Sequence, residues 1–129
     1  MAQEEKKKRT QNFVRRVLKL AESLPQEKSG EVIGKQLLRC GTSVGANYRA
    51  AYRAKTTADF INKLAIVEEE ADESAYWLEL LIESNLIREN LVKNLLDEAD
   101  QILSITVSAI KTFKEKRNSK SEFPNPKSL

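Results

Sequence analysis

The sequence predicts an all-α protein, folded as an antiparallel up-down-up-down four-helix bundle. The first reason is that apolar residues recur at alternating steps of three and four in four separate stretches. The second is that the polar connections between these stretches are short, about 3–7 residues, which favours antiparallel neighbours. The third is that four glycines and three prolines are too few for the many turns of a β-sandwich or barrel. A length of 129 residues indicates one domain.

The bundle is expected to cover residues 10–117. Its first helix should begin near Thr10, with Phe13 on its apolar stripe, and should end at Leu24 because a proline follows that residue. Charged side chains dominate residues 1–9, and no apolar periodicity runs through them. These residues are therefore predicted to be a flexible basic N-terminus.

The second helix is expected over residues 31–54, although its middle contains residues typical of loops. Gly41 and Gly45 should each cost a helix roughly 1 kcal/mol relative to alanine. The apolar residues around them nevertheless keep helical phase through Tyr48. Because the two glycines are four residues apart, they lie on one face, where another helix can approach closely. We therefore predict an unbroken helix in which Gly41, Ser43 and Gly45 pack against a helix of the same or an adjacent subunit.

Two long heptad patterns predict the third and fourth helices. The third should begin near Thr56, because Asp59 completes the spacing of a capping box, and it should stop at Ser84–Asn85. The fourth is expected over about residues 89–117. The two prolines within residues 118–129 predict a disordered C-terminal tail.

Positive charge is concentrated in the first half of the chain. Residues 1–63 carry 14 basic and 6 acidic side chains, whereas residues 64–129 carry 8 basic and 13 acidic ones. This asymmetry is typical of a nucleic-acid surface, but it also fits two halves that neutralise each other in an antiparallel bundle. The basic residues that could contact phosphates are Lys6, Lys7, Lys8, Arg9, Arg15, Arg16 and Lys19.

Three arginines of the second helix need either partners or a binding role. Arg49 and Arg53 lie one turn apart and could meet acidic residues of the third helix. Buried pairs of this kind mainly set the register between helices. The predicted structural ion pairs involve Arg39, Arg49, Arg53, Glu70 and Glu73, and at least Arg49 is expected to pair within the bundle. The alternative is a basic surface with interleaved aromatic residues that binds nucleic acid.

The composition argues against catalysis and against a bound metal or cofactor. The chain has no histidine, the commonest transition-metal ligand and proton shuttle, and no nucleotide-binding or zinc motif. Cys40 has no neighbouring base and is interpreted as a small buried residue. Glu69, Asp72 and Glu73 could hold a hard cation, but the acidic residues there wrap around the helix instead of converging. We expect no catalytic residue and no metal site.

Other compositional features predict a cytoplasmic protein without a membrane partner. The N-terminal residues MAQEEKKKRT precede no apolar run and do not resemble a signal peptide. No stretch approaches the roughly 18 apolar residues that a membrane span requires. A single cysteine permits no intrachain disulfide, so the fold does not depend on an oxidising compartment.

Two strings in the sequence resemble a known family. QLLRCGTSVGANYRAAYRA covers residues 36–54, and ADFINKLAIVEEEADESAYWLELL covers residues 58–81. Together they resemble the 23S rRNA intervening-sequence proteins, in which an R-C-G-x-S-V-G-A-N-Y-R pattern and an E-x-x-Y-W-L-x-L-L ending occur together. More distantly, the chain is similar to the accessory variability protein of diversity-generating retroelements, a basic pentamer that works with a reverse transcriptase and nucleic acid.

The resemblance implies a cytoplasmic bacterial four-helix bundle that assembles as a ring-like homopentamer. Together with the basic first half, it leads to the hypothesis of a non-enzymatic oligomeric scaffold that binds RNA or DNA. The alternative is a ring that serves as an adaptor for a protein partner and has no nucleic-acid role. One departure from the family pattern is the acidic run Glu68–Glu70, where a lysine is expected, and this run disfavours nucleic-acid contact by the third helix.

Overall fold

The computed structural model describes residues 2–118, which form four α-helices joined by short connections. The helices are α1 (Gln3–Glu22), α2 (Lys28–Tyr52), α3 (Thr57–Glu83) and α4 (Glu89–Asn118). No strand occurs in this part of the chain, so the predicted all-α class is confirmed. The predicted disordered tail lies, from residue 119 onward, outside the described residues.

Helix α1 begins earlier than the apolar pattern predicts. It starts at Gln3, so the predicted start near Thr10 is wrong, and residues 3–9 are helical and not a flexible extension. Glu4 and Glu5 lie in the first turn, where negative side chains interact favourably with the helix dipole. Apolar periodicity could not identify these first turns, because no apolar side chain occurs in them.

The other predicted helix boundaries lie close to the observed ones. The hydroxyl of Thr56 accepts a hydrogen bond from the backbone N–H of Asp59 at 3.1 Å, so the predicted cap of α3 is confirmed. Helix α3 ends at Glu83, and Asn85 follows it in the left-handed conformation with φ of 58°. Helix α2 is unbroken despite its glycines, as predicted.

Neighbouring helices run antiparallel in an up-down-up-down order. Along α2, Gly41 lies against Val17 of α1, and Gly45, further along the helix, lies against the earlier residue Val14. Arg39 in the middle of α2 pairs with Glu73 of α3, whereas Tyr52 at the end of α2 contacts Phe60 at the start of α3. Phe60 also packs against Phe113 near the end of α4. The short connection between α3 and α4 lies at the other end of the bundle from Phe60 and Phe113.

Aromatic side chains connect α2, α3 and α4 at one end of the core. Ring centroids are 4.9 Å apart for Tyr48 and Tyr52, 5.2 Å for Tyr52 and Phe60, and 4.5 Å for Phe60 and Phe113. Helix α1 packs chiefly on α2, and α4 packs chiefly on α3. Aliphatic side chains that are almost fully buried continue the core: Leu37, Val44, Leu64, Val67, Leu78, Leu81 and Val92.

Candidate nucleic-acid interface on helices α1 and α2

Four glycines form a stripe along the face of α2 that packs on α1 and on the connection between α1 and α2. Gly30, Gly34, Gly41 and Gly45 follow one another at steps of four, seven and four residues, which keeps them on one helix face. All four are buried. A Cβ atom added at Gly41 would lie 2.7 Å from Cγ1 of Val17, closer than side-chain carbons pack. The groove between α1 and α2 therefore has backbone as its floor, and Gly41 and Gly45 pack against α1 of the same chain.

One member of the predicted close-packing set, Ser43, lies away from the glycine stripe. Of the four glycines, the prediction includes only Gly41 and Gly45. Gly34 lies seven residues before Gly41, and this heptad spacing would have placed Gly34 on the same helix face. Ser43 does not belong to this face, because it is two residues from Gly41 and so points about 200° around the helix. Its hydroxyl and carbonyl oxygens instead accept hydrogen bonds from Nδ2 of Asn47, at 2.8 and 3.0 Å.

Lys8, Arg15 and Lys19 form an exposed basic stripe on α1. They are seven and four residues apart, so they lie on one face of the helix, and all three side chains are exposed. Within residues 2–118 none of them pairs with a carboxylate. These three predicted phosphate-contacting residues are therefore available to a ligand, whereas Arg16 is half-buried on another face.

The side chains of Arg9 and Lys6, also predicted to contact phosphates, lie where α1 packs against α4. Arg9 donates to both carboxylate oxygens of Glu98, at 2.6 and 3.0 Å, and to the side-chain oxygen of Gln101 at 2.9 Å. This forked ion pair ties α1 to α4. Lys6 lies beside Tyr48 at the same seam, and burial lowers its pKa. The ion pair of Arg9 and the partial burial of Lys6 therefore disfavour phosphate contacts by these two residues.

A cleft between α1 and α2 collects three further basic residues. Its volume is about 340 Å³. We call it the basic cleft, and it is lined by Lys7, Thr10, Gln11, Gly45, Tyr48, Arg49 and Arg53. Among the described residues, no carboxylate lines this cleft or forms an ion pair with its three cations.

Of the three arginines predicted to form ion pairs, Arg39 contacts α3, whereas the described residues show no such pair for Arg49 or Arg53. Arg39 forms an ion pair with Glu70 at 3.0 Å and a second one with Glu73. Arg49 and Arg53 follow Arg39 by ten and fourteen residues, so they lie about 15 and 21 Å further along α2 and do not reach Glu70 and Glu73. Arg49 is also rotated by about 80° from Arg39 around the helix. Arg39 therefore faces α3, and Arg49 faces α1 and the basic cleft.

The two strings that carry the family resemblance contact each other across α2 and α3. Glu73 accepts hydrogen bonds from Arg39 and from Nε1 of Trp77, the latter at 3.1 Å. These hydrogen bonds lower the pKa of Glu73, so the interaction is present near neutral pH and is lost as pH falls through that lowered pKa. Next to this ion pair, Oγ of Ser74 lies 3.3 Å from Sγ of Cys40. These motif residues connect α2 and α3 through hydrogen bonds and an ion pair.

Neither catalysis nor metal binding gains support from the described side chains. Residues 2–118 contain no cluster of three or more potential metal ligands from His, Cys, Asp and Glu. The acidic residues Glu69 and Asp72 are exposed, and Glu73 is engaged by Arg39. No helix in the described range is both long and apolar enough to span a membrane.

The thiol of Cys40 should be unreactive in the folded protein. Cys40 is fully buried, and this burial raises its pKa, so little nucleophilic thiolate forms at neutral pH. We expect no labelling by a thiol-specific disulfide reagent in native buffer at mildly alkaline pH, and complete labelling of the same sample in guanidinium chloride. Rapid, stoichiometric labelling without denaturant would contradict this burial.

The fold and its surface thus define a class, an all-α four-helix bundle with a basic α1–α2 face and a motif-bearing α2–α3 seam. The family model described as 23S rRNA-intervening sequence protein matches residues 4–108, so the chain belongs to that family.

A solved structure from Bacteroides thetaiotaomicron is similar to this chain in both sequence and fold. It is described as a protein with unknown function from the S23 ribosomal protein family. It shares 40% sequence identity with this chain, and the alignment covers 86% of this chain and 99% of the other, with a TM-score of 0.80. No curated protein matches the sequence. The more distant likeness to the accessory variability protein stays a prediction.

Proposed function

We propose that this protein is a non-enzymatic, oligomeric scaffold of the bacterial cytoplasm that associates with RNA. The observation that carries the proposal is the basic stripe of α1, where Lys8, Arg15 and Lys19 are exposed and none pairs with a carboxylate among the described residues. Unpaired cations on one face are the electrostatic signature of a phosphate-binding surface. The family description, which refers to 23S rRNA, suggests RNA as the nucleic acid.

A homopentamer would strengthen such a surface. Each chain offers only a few phosphate contacts, but a ring would present the same basic face several times to one RNA molecule. Linked weak contacts raise the overall affinity through effective concentration. Light scattering tests this part of the proposal, and we expect a mass close to five times the chain mass of 14.7 kDa. A measured mass equal to that of one chain would contradict it.

RNA binding should depend steeply on salt and on the basic stripe of α1. We expect the triple variant Lys8→Gln/Arg15→Gln/Lys19→Gln to bind a structured RNA more weakly than the wild type. The slope of log affinity against log salt should fall by about 2–3, since each lost phosphate contact removes about 0.7–0.9. Fluorescence anisotropy with a labelled rRNA hairpin across a potassium chloride series measures both quantities.

A matched control separates the stripe from net charge. Lys93→Gln/Lys111→Gln/Lys114→Gln removes the same charge from exposed positions on α4. This control should retain most of the wild-type affinity. Equal losses in both triple variants would show that only net charge matters, and absence of wild-type binding even at low salt would remove the RNA proposal and leave the protein-binding adaptor.

A further inference from the structure

We infer that the basic cleft between α1 and α2 binds a single phosphate group, presented by an RNA strand or by a free nucleotide. For the RNA source the inference rests on the proposed function, whereas the nucleotide source is independent of it. The cleft differs from the exposed stripe of α1, because it is a concave site with cations on two helices. Lys7 lies on α1, Arg49 lies in the last turn of α2, and Arg53 is the residue that caps the C-terminus of α2.

No carboxylate among the described residues compensates the charge of the cleft, and the only partial compensation comes from the C-terminal end of α2, where Arg49 and Arg53 lie. The three cations line one volume of about 340 Å³, and the described carboxylates form ion pairs only elsewhere in the bundle. Like charges held close together repel, and a bound anion with several oxygen atoms relieves this repulsion. Two arginines on one helix face offer forked N–H donors, the geometry that phosphate oxygens accept best.

The uncharged residues of the cleft also suit an oxyanion. The side-chain amide of Gln11 supplies hydrogen-bond donors at the rim. Tyr48 also lines the cleft, but its hydroxyl oxygen is buried and inaccessible to solvent. A phosphate oxygen, which only accepts hydrogen bonds, can accept from the Gln11 amide.

A second cavity in the same groove shows that size alone does not define the site. At the other end of the α1–α2 groove lies a cavity of equal volume, about 340 Å³. Its lining includes the carboxylates of Glu22 and Glu31 beside a single cation, Lys35. Such a lining would repel a phosphate group. The charge of the lining therefore identifies the basic cleft, and not the second cavity, as the phosphate site. Its volume is at the lower end for ligand pockets and suits one nucleotide unit.

The test compares variants of exposed arginines and lysines at the two ends of α2. Arg49→Gln/Arg53→Gln removes two cations of the basic cleft, and Lys28→Gln/Lys35→Gln removes the same charge near the other end of the helix. Anisotropy with a fluorescein-labelled single-stranded RNA should show weakening on the order of tenfold for the first variant and little change for the second. If the wild type binds RNA and both variants bind it equally, the inference is wrong and the proposed function stands.

Protection of Lys7 from acetylation tests the cleft directly and separates the two sources. Mass spectrometry should show that bound RNA slows acetylation of Lys7 more than that of Lys35. The second arm replaces RNA by adenosine triphosphate. Protection by the nucleotide alone, in a protein that binds no RNA, would support the phosphate site while removing the proposed RNA function. The inference would be overturned if neither RNA nor adenosine triphosphate slowed the acetylation of Lys7 more than that of Lys35.

Discussion

Replacing Gly41 by leucine is expected to destabilise the protein by about 3 kcal/mol or more, a large fraction of the free energy of unfolding of a typical domain. Even a Cβ atom at this position would lie 2.7 and 3.0 Å from the two methyl carbons of Val17 and 3.2 Å from its Cβ. Val17 cannot move aside, because it is fully buried and β-branched. Urea denaturation followed by far-UV circular dichroism at fixed protein concentration measures the change.

Gly34→Ala is the matched control for this prediction. A Cβ atom at Gly34 would meet only Cδ1 of Leu24, at an ordinary contact distance of 3.4 Å. Alanine is also the better helix former, so the variant should be neutral or more stable by up to about 1 kcal/mol. Gly41→Ala should be destabilising in spite of the same gain in helix propensity. Equal stabilities of the two alanine variants would show that close approach of α1 does not explain the glycine stripe.

Phe60→Ala is expected to cost about 3–5 kcal/mol of unfolding free energy. Phe60 is fully buried at the start of α3, and its ring packs between Tyr52 of α2 and Phe113 of α4. Removing it leaves a cavity where three helices meet, and rigid aromatic neighbours cannot collapse into that space. The same denaturation experiment measures the loss.

An exposed aromatic residue on the same helix provides the comparison for Phe60. Tyr76 is 55% exposed and contacts Trp77 with ring centroids 5.0 Å apart. Tyr76→Ala should lower the free energy of unfolding much less than Phe60→Ala, because the Tyr76 side chain buries less apolar area. A similar cost for both variants would contradict the assignment of Phe60 to the centre of the core.

Local sequence signals were sufficient for most of the helices, but not for the start of α1. The cap at Thr56 and the left-handed Asn85 are local, and both are found where the sequence places them. The first turns of α1 contain only polar and charged residues, so they carry no amphipathic signal. Residues 3–9 are all good helix formers, and the negative charges of the first turn and the ion pair of Arg9 with Glu98 also favour the helix.

The candidate site was only partly predictable for a related reason. The sequence identifies which residues are basic, but their partners depend on how each helix is rotated about its axis. Lys8 and Arg15 remain exposed, whereas Arg9, in the same run of charges, is paired. The basic cleft combines Lys7 with Arg49, residues from two helices that no local pattern connects.

The sequence by itself determined the class, four amphipathic helices in one bundle, and the glycine face on which α2 is built. Periodicity and glycine spacing are properties of a single helix, so they can be read without knowledge of its neighbours. Only the tertiary structure decided that Arg39 pairs with α3 while Arg49 and Arg53 line a cleft with α1. The physical reason is that the close approach of α1 to the glycine stripe sets the rotation of α2. That rotation, together with the distance of each arginine along α2 from Glu70 and Glu73, decides whether the arginine reaches a carboxylate or lines the basic cleft.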